Sequence, residues 1–324
     1  MTDITSERMD LSRFVTQIAQ LKACIATVIV GQENTVDLAL TALLAGGHVL
    51  IEGVPGVAKT LLARLLAQLI DARFSRIQFT PDLMPSDVLG TTVFNMKDNV
   101  FDFHAGPVFA DLVLVDEINR APAKTQSALF EVMEERQVSI DGTTHHMGEL
   151  FTIFATQNPI EQEGTYKLPE AQLDRFLMKI NMGYPSTDEE VNILERHHTN
   201  ARLTALKDIT PVITQAQLLS LRQLANEVFV ESTLLRYIAL IVQQTRNSKA
   251  VYLGASPRAS VALLQASKAY ALLGGRDFVT PEDIKRMAPS VLQHRLILTA
   301  EAEMEGLSPA KVTARLIDKV EVPQ

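Results

Sequence analysis

Only one cysteine, Cys24, occurs in 324 residues, so no intramolecular disulfide can form and no cysteine cluster can hold a metal. Its neighbours Leu21, Ala23, Ile25 and Ala26 predict plain core packing. No apolar run reaches the ~18 residues that a membrane-crossing helix needs. The most apolar stretch, Leu38 to Val57, is broken by glycines, Pro55, His48 and Glu52. Met1 to Arg13 is polar and lacks the apolar core of a signal peptide. Lysine and arginine form no block, and the formal net charge is -8. That balance argues against a nucleic-acid partner. Internal repeats and low-complexity tracts are also missing. What remains is a chain that is 47% hydrophobic, enough for a sizeable core in one large or two medium domains. A cytoplasmic protein without membrane insertion is expected.

The strongest feature present is Gly53-Val54-Pro55-Gly56-Val57-Ala58-Lys59-Thr60. It follows the apolar run His48–Ile51 and precedes a helical pattern opening at Leu61. Strand, glycine turn, lysine-threonine and helix build a phosphate cradle, with loop amides and the helix N-terminus aimed at anionic oxygens. Lys59 can reach the β- and γ-phosphates, and the Thr60 hydroxyl can hold Mg²⁺. A lysine at a helix start opposes the helix dipole unless an anion is bound. One position departs from the usual pattern: Ala58 stands where glycine normally precedes the lysine. A positive φ there would strain alanine, whereas a helical φ would cost nothing.

Helices are predicted near Arg13–Val28 and Glu33–Ala45, separated by Gly31-Gln32. Phe74–Phe79 alternates as a strand. Thr80–Ala110 is a long insertion with a possible hairpin, Val93–Met96 against Val100–Phe103. Leu112–Val115 reads as a central parallel strand buried on both faces. A helix should run from Pro122 to Arg136, then a hairpin turning at Asp141-Gly142. Leu150–Ala155 and Phe176–Ile180 complete the strands. Beyond Tyr184-Pro185 every segment reads as helical: Asp188–His197, Gln215–Val228, Ser232–Arg246, Pro257–Leu273 and Pro281–Met287. The predicted architecture is an α/β nucleotide-binding domain over 1–185 with a parallel sheet, followed by an all-α domain over 186–324.

Asp116-Glu117 ends the strand Leu112–Val115, and ligands of open α/β sheets bind beyond the carboxyl ends of strands. Asp116 would support Mg²⁺ directly or through water, and Glu117 would polarise the attacking water. Asn158, after the next central strand, would sit beside the γ-phosphate or that water. Arg175 could contact a neighbouring subunit's γ-phosphate as an arginine finger. Ser256 and Pro257 suit the N-cap and first position of a helix. Arg258 then falls in the first turn, where a bound phosphate would relieve its conflict with the dipole. His145-His146 point to opposite strand faces, His197-His198 lack ligand partners, and Glu131, Glu134 and Glu135 read as a solvated helix face.

Taken in order, these motifs resemble the MoxR family of AAA+ ATPases. The resemblance runs through Gly31-Gln32, Gly53–Thr60, Asp116–Ala121, Ala155–Pro159, Leu173–Phe176, Gly254–Arg258 and His294–Leu296, covering about Val28 to Leu298. It implies an AAA+ P-loop domain with a helical lid, binding ATP and Mg²⁺. It makes Lys59, Thr60 and Asp116 the Walker residues, with Thr60 and Asp116 serving the metal. Glu117 becomes the catalytic glutamate, Asn158 sensor 1, Arg175 the finger and Arg258 sensor 2, with Arg120 the alternative finger. Gly31 and Gln32 would flank adenine, and Gly53 through Leu61 would hold the nucleotide. Thr80–Ala110 matches the helix-2 insertion, and the Asp141-Gly142 hairpin matches the pre-sensor-1 hairpin. The resemblance further implies a hexameric ring and a chaperone-like role with a von Willebrand factor A domain partner. A nucleic-acid motor, a slow nucleotide switch, a magnesium-chelatase-like subunit and a small-molecule kinase with a P-loop are the rival readings.

Overall fold

The computed structural model describes residues 11–158, 166, 168–198 and 209–322. The chain forms two compact units: Ile25–Leu219, and Ser220 onward together with the segment up to Cys24. Helix α1 (Ser12–Val28) crosses the first division.

In the first unit, α2 (Glu33–Ala45) precedes β1 (Val49–Gly53), α3 (Lys59–Leu69), β2 (Phe74–Gln78) and α4 (Pro85–Leu89). The hairpin β3 (Gly90–Asn95) and β4 (Val100–Ala105) follows. Then come β5 (Leu112–Asp116), α5 (Ala123–Glu135), and the hairpin β6 (Gln137–Ile140) and β7 (Thr143–His146). β8 (Thr152–Gln157), α6 (Glu170–Leu173), β9 (Met178–Met182) and α7 (Thr187–His198) complete the series, and α8 (Gln215–Glu227) crosses the second division.

Five strands make one parallel sheet in the order β2-β5-β8-β1-β9. β5 is buried along its whole length, because both its faces are covered. α3 packs on β2 and β5, and α2 packs on β9. Ile51, Leu114 and Phe154 are fully buried in neighbouring strands, each contributing about 1.5–3 kcal/mol through removal from water. The register aligns Glu52 with Gln157 and Gln78 with Asp116, so the carboxyl ends of β1, β2, β5 and β8 lie together.

His48 fastens this layer in a way the sequence did not announce. Its Nδ1 accepts from the Ile153 amide at 2.9 Å, and its Nε2 lies 3.2 Å from the Met133 carbonyl. Those two contacts fix the tautomer, with Nε2 donating.

The units part at Leu219 rather than at the predicted boundary near Pro185. Hydrogen bonds from α7 and from the chain around Val212 and Gln215 hold the intervening segment to the sheet unit. Arg196 of α7 donates to the carbonyls of Ala26 and Thr27 at 3.1 and 3.0 Å. The Val212 amide donates to Leu69 at 2.9 Å. Gln215 donates to the Asp71 carbonyl at 2.8 Å and to Asp111 at 3.2 Å.

Burial by itself would push the Asp111 carboxyl up; the Arg73 guanidinium and amide, with Gln215, outweigh it and hold its pKa below the usual carboxylate range. The folded pKa is thus lower than the unfolded one. The stabilisation is present above the unfolded value near ~4 and is lost as pH falls through the folded value. Asp111→Asn should lower the urea midpoint at neutral pH, and the gap to wild type should close in acid. A gap that stays constant across the titration would refute this linkage.

In the second unit, α9 (Ser232–Asn247), α10 (Pro257–Leu273), α11 (Pro281–Leu292) and α13 (Pro309–Asp318) pack together. Between them lie β10 (Val251–Leu253), β11 (Ile297–Leu298) and α12 (Ala300–Met304). β10 and β11 pair antiparallel as a short ribbon within this otherwise helical unit. α11 also runs past its predicted end at Met287, with Pro289 inside it. Its start is held by Asp283, which accepts from Thr280 and from Arg276 Nη1 and Nη2, each at 2.6 Å. Among the described residues, no helix is long and apolar enough to cross a membrane.

Candidate functional site

The predicted phosphate loop leaves the carboxyl end of β1 and enters α3 at Lys59. Gly56 has φ +88, a conformation that glycine accepts without a Cβ clash. A Cβ on Gly53 would stand 2.6 Å from the Met182 carbonyl, so the strand end also requires glycine. Ala58 has φ 65 and ψ 23, the strained branch of the sequence expectation. Left-handed backbone costs a non-glycine residue about 1–2 kcal/mol. Ala58→Gly should therefore stabilise the sheet unit by about 1 kcal/mol, the relief exceeding the added flexibility of the unfolded chain. Equal or lower midpoints for Ala58→Gly in urea unfolding would contradict the strain.

Lys59 Nζ donates to the Gly53 carbonyl at 2.5 Å, which folds the cation back over the loop. The Thr60 hydroxyl lies 3.5 Å from Asp116 Oδ2, across the gap between β1 and β5. Asp116 and Thr60 are hard oxygen donors on facing elements. That donor set fits Mg²⁺, which takes one or two protein oxygens and completes its shell with phosphate and water. Among the described residues no group of three or more His, Cys, Asp or Glu could hold a metal.

Glu117 takes φ 56 and ψ 50, left-handed like Ala58. Its amide donates to Thr156 Oγ1 at 3.0 Å, and Thr156 donates to Asp116 Oδ1 at 2.6 Å. The Glu117 carboxylate accepts from Gln78 at 2.7 Å and pairs with Arg120 Nε at 3.2 Å. Below it, buried Gln126 donates to the carbonyls of Ile118 and Ala121, fixing the 3₁₀ turn Ile118–Arg120. Strain of this kind persists only where surrounding bonds over-determine it, as at ligand clamps and active sites.

Asn158 follows β8 and is buried. Pro159, the end of its motif, lies outside the described residues. Arg175 is held against α5, where it donates to the Phe130 carbonyl and lies 4.0 Å from Glu134. Glu134 is therefore more than a solvated helix face. Arg258 belongs to the helical unit. Ser256 caps α10 by accepting from the Arg258 amide at 3.1 Å, and the Arg258 side chain is exposed.

A cavity of about 220 Å³ adjoins the loop, lined by Ile29, Gln32, Val57, Leu61, Ile193 and His197 among others. Val54 and Pro55 lie on the loop beside Gly56 and Val57, which reach this cavity. Gly31 precedes it with φ +69, and a Cβ there would collide with Glu189. The walls are apolar with a polar edge, as a planar heteroaromatic base requires. Arg196 closes one side by gripping the end of α1.

Sequence reasoning missed Arg76, Thr156, Gln126 and the α7 residues of this cavity. For Arg76 and Gln78 a signal existed: two polar residues at i and i+2 on a strand share one face.

The chain matches the family described as "ATPase family associated with various cellular activities" over residues 48–178, and an AAA lid domain over 243–316. It is 47% identical to a Mycobacterium tuberculosis protein named Chaperone MoxR1, over 92% of this chain and 80% of that one. An uncharacterized Bacillus subtilis protein is 48% identical over 91% of this chain and 92% of its own length. The crystal structure of a candidate ATPase from Cytophaga hutchinsonii superposes with a TM-score of 0.88 at 40% identity, covering 97% of each chain.

Proposed function

The chain belongs to the MoxR family of AAA+ ATPases, and on that premise we propose that it hydrolyses ATP with Mg²⁺ to remodel or activate a partner protein. The observation that carries this reading is the convergence of Lys59, Thr60, Asp116 and Glu117 at the ends of β1 and β5. Thr60 and Asp116 would hold the ion, which neutralises phosphate charge when bound. Lys59 would turn from the Gly53 carbonyl to phosphate oxygens. Glu117 would orient the attacking water, with Asn158 beside it, and the apolar cavity would take adenine. The relative named as a chaperone supports the remodelling role.

The working form in this proposal is a cytoplasmic hexameric ring that places Arg175 of one subunit at the ATP of the next. A protein carrying a von Willebrand factor A domain would be the partner. Loss of the γ-phosphate would release the contacts of Asn158, Arg175 and Arg258, and that release would drive the conformational step. The test is phosphate release from Mg·ATP across a range of protein concentration. A specific rate that climbs with concentration supports catalysis at subunit interfaces. No turnover at any concentration removes the ATPase reading. A concentration-independent rate from a monomer removes the ring.

A further inference from the structure

Both oxygens of Asp116 are engaged by protein groups. Oδ1 accepts from Thr156 at 2.6 Å. Oδ2 accepts from Arg76 twice, from Nε at 3.0 Å and Nη2 at 2.7 Å. The Thr60 hydroxyl is 3.5 Å from that same Oδ2. The oxygen nearest the P-loop threonine is therefore the one the guanidinium grips.

We infer that Arg76 is a gate on the metal: a resident cation that must release Asp116 Oδ2 before Mg²⁺ takes it, directly or through a water. This inference rests on the reading of Thr60 and Asp116 as the magnesium residues. Two cations at one carboxylate oxygen repel, so each weakens the other's hold. The geometry allows an exchange. The Arg76 side chain is 50% exposed and can swing into solvent, whereas Asp116 is 12% exposed and pinned by Thr156.

The exchange also reaches Glu117. Arg76 Nη2 donates to Gln78 Oε1 at 3.0 Å, and Gln78 donates to Glu117 at 2.7 Å. Arrival of the metal would loosen the outer support of the glutamate through these two side chains. Arg76 acts through Asp116 and Gln78, so it is a positioning residue.

The test compares the affinity of a fluorescent ADP analogue in saturating Mg²⁺ with its affinity in EDTA. The ratio of the two is the magnesium linkage, and it does not depend on turnover. Arg76→Gln should enlarge the linkage about fivefold, the upper range for an ion pair with an exposed partner. Arg76→Lys keeps the charge without the two-nitrogen grip and should enlarge it about twofold. In an Asp116→Asn background, Arg76→Gln should add nothing. A purely structural Arg76 would lower both affinities together and leave the ratio unchanged, which overturns the gate. If Arg76→Gln does not fold, the lysine variant decides: an unchanged or smaller linkage overturns it. Wild type with a clear linkage but unmoved variants defeats the gate alone. Wild type that binds no analogue defeats the nucleotide reading and the gate with it; wild type that binds the analogue but ignores Mg²⁺ defeats the magnesium assignment of Thr60 and Asp116, and with it the gate.

Discussion

Glu117→Gln should cut ATP turnover about 10³-fold and leave nucleotide affinity within about twofold of wild type. The expectation follows from how the residue is held. Its backbone sits in the left-handed region, and its amide is tied to Thr156. Its carboxylate is aimed by Gln78 and Arg120. An amide keeps the volume and can keep one of those contacts, but it cannot take a proton from water. Phosphate loop, cavity and metal oxygens are untouched by the change, so binding should survive. Steady-state phosphate release and titration of a fluorescent ATP analogue separate the two effects. Turnover within tenfold of wild type would assign the base to another residue.

Arg175→Ala should also cost about 10³-fold in turnover, the range for a trans-acting arginine. Within one chain the guanidinium faces α5, so the distinguishing result is complementation. Arg175→Ala supplies an intact Glu117, and Glu117→Gln supplies an intact Arg175. Random mixing in a ring pairs the two intact groups at roughly a quarter of interfaces. Activity should rise on mixing and peak near equal amounts. No rescue at any ratio would mean that Arg175 serves α5 rather than a neighbour. Thermal midpoints of the variants guard against a simple loss of packing.

Several elements were legible because local chemistry fixes them. α2 ends where Gly46 supplies a left-handed cap, and its bounds match the expectation. α10 begins where Ser256 caps and Pro257 occupies the first turn. The turn at Asp141-Gly142 has φ 48 and 78, both positive, as that dipeptide foretells. Other features depended on partners distant in sequence. Pro289 sits near the end of α11, where one missing amide ends nothing. The strand of Val251–Leu253 is too short for alternation to register. The φ of Ala58 could not be chosen from sequence, because alanine's own preference is for negative φ and the folded loop overrides it. The shared face of Arg76 and Gln78 could be read from their spacing, but its partner Asp116 emerged only once β2 was paired with β5 in register.

The β3–β4 hairpin has a mechanical consequence. A Cβ on Gly90 would meet the His104 carbonyl at 2.2 Å, and one on Gly106 would meet that of Val88 at 2.3 Å. The root of the hairpin is thus welded, backbone on backbone, to the end of α4. Its far end carries Phe94 and Phe101, exposed and in mutual ring contact. Six residues of strand span about 20 Å. The hairpin is therefore an arm whose root has little room to pivot against α4. A push on the aromatic tip would pass to α4 and then to α5, which packs on α4 and holds the Leu83 carbonyl through Thr125. That helix leads out of the turn that begins at Glu117, so load on the arm and the set of the glutamate share one lever.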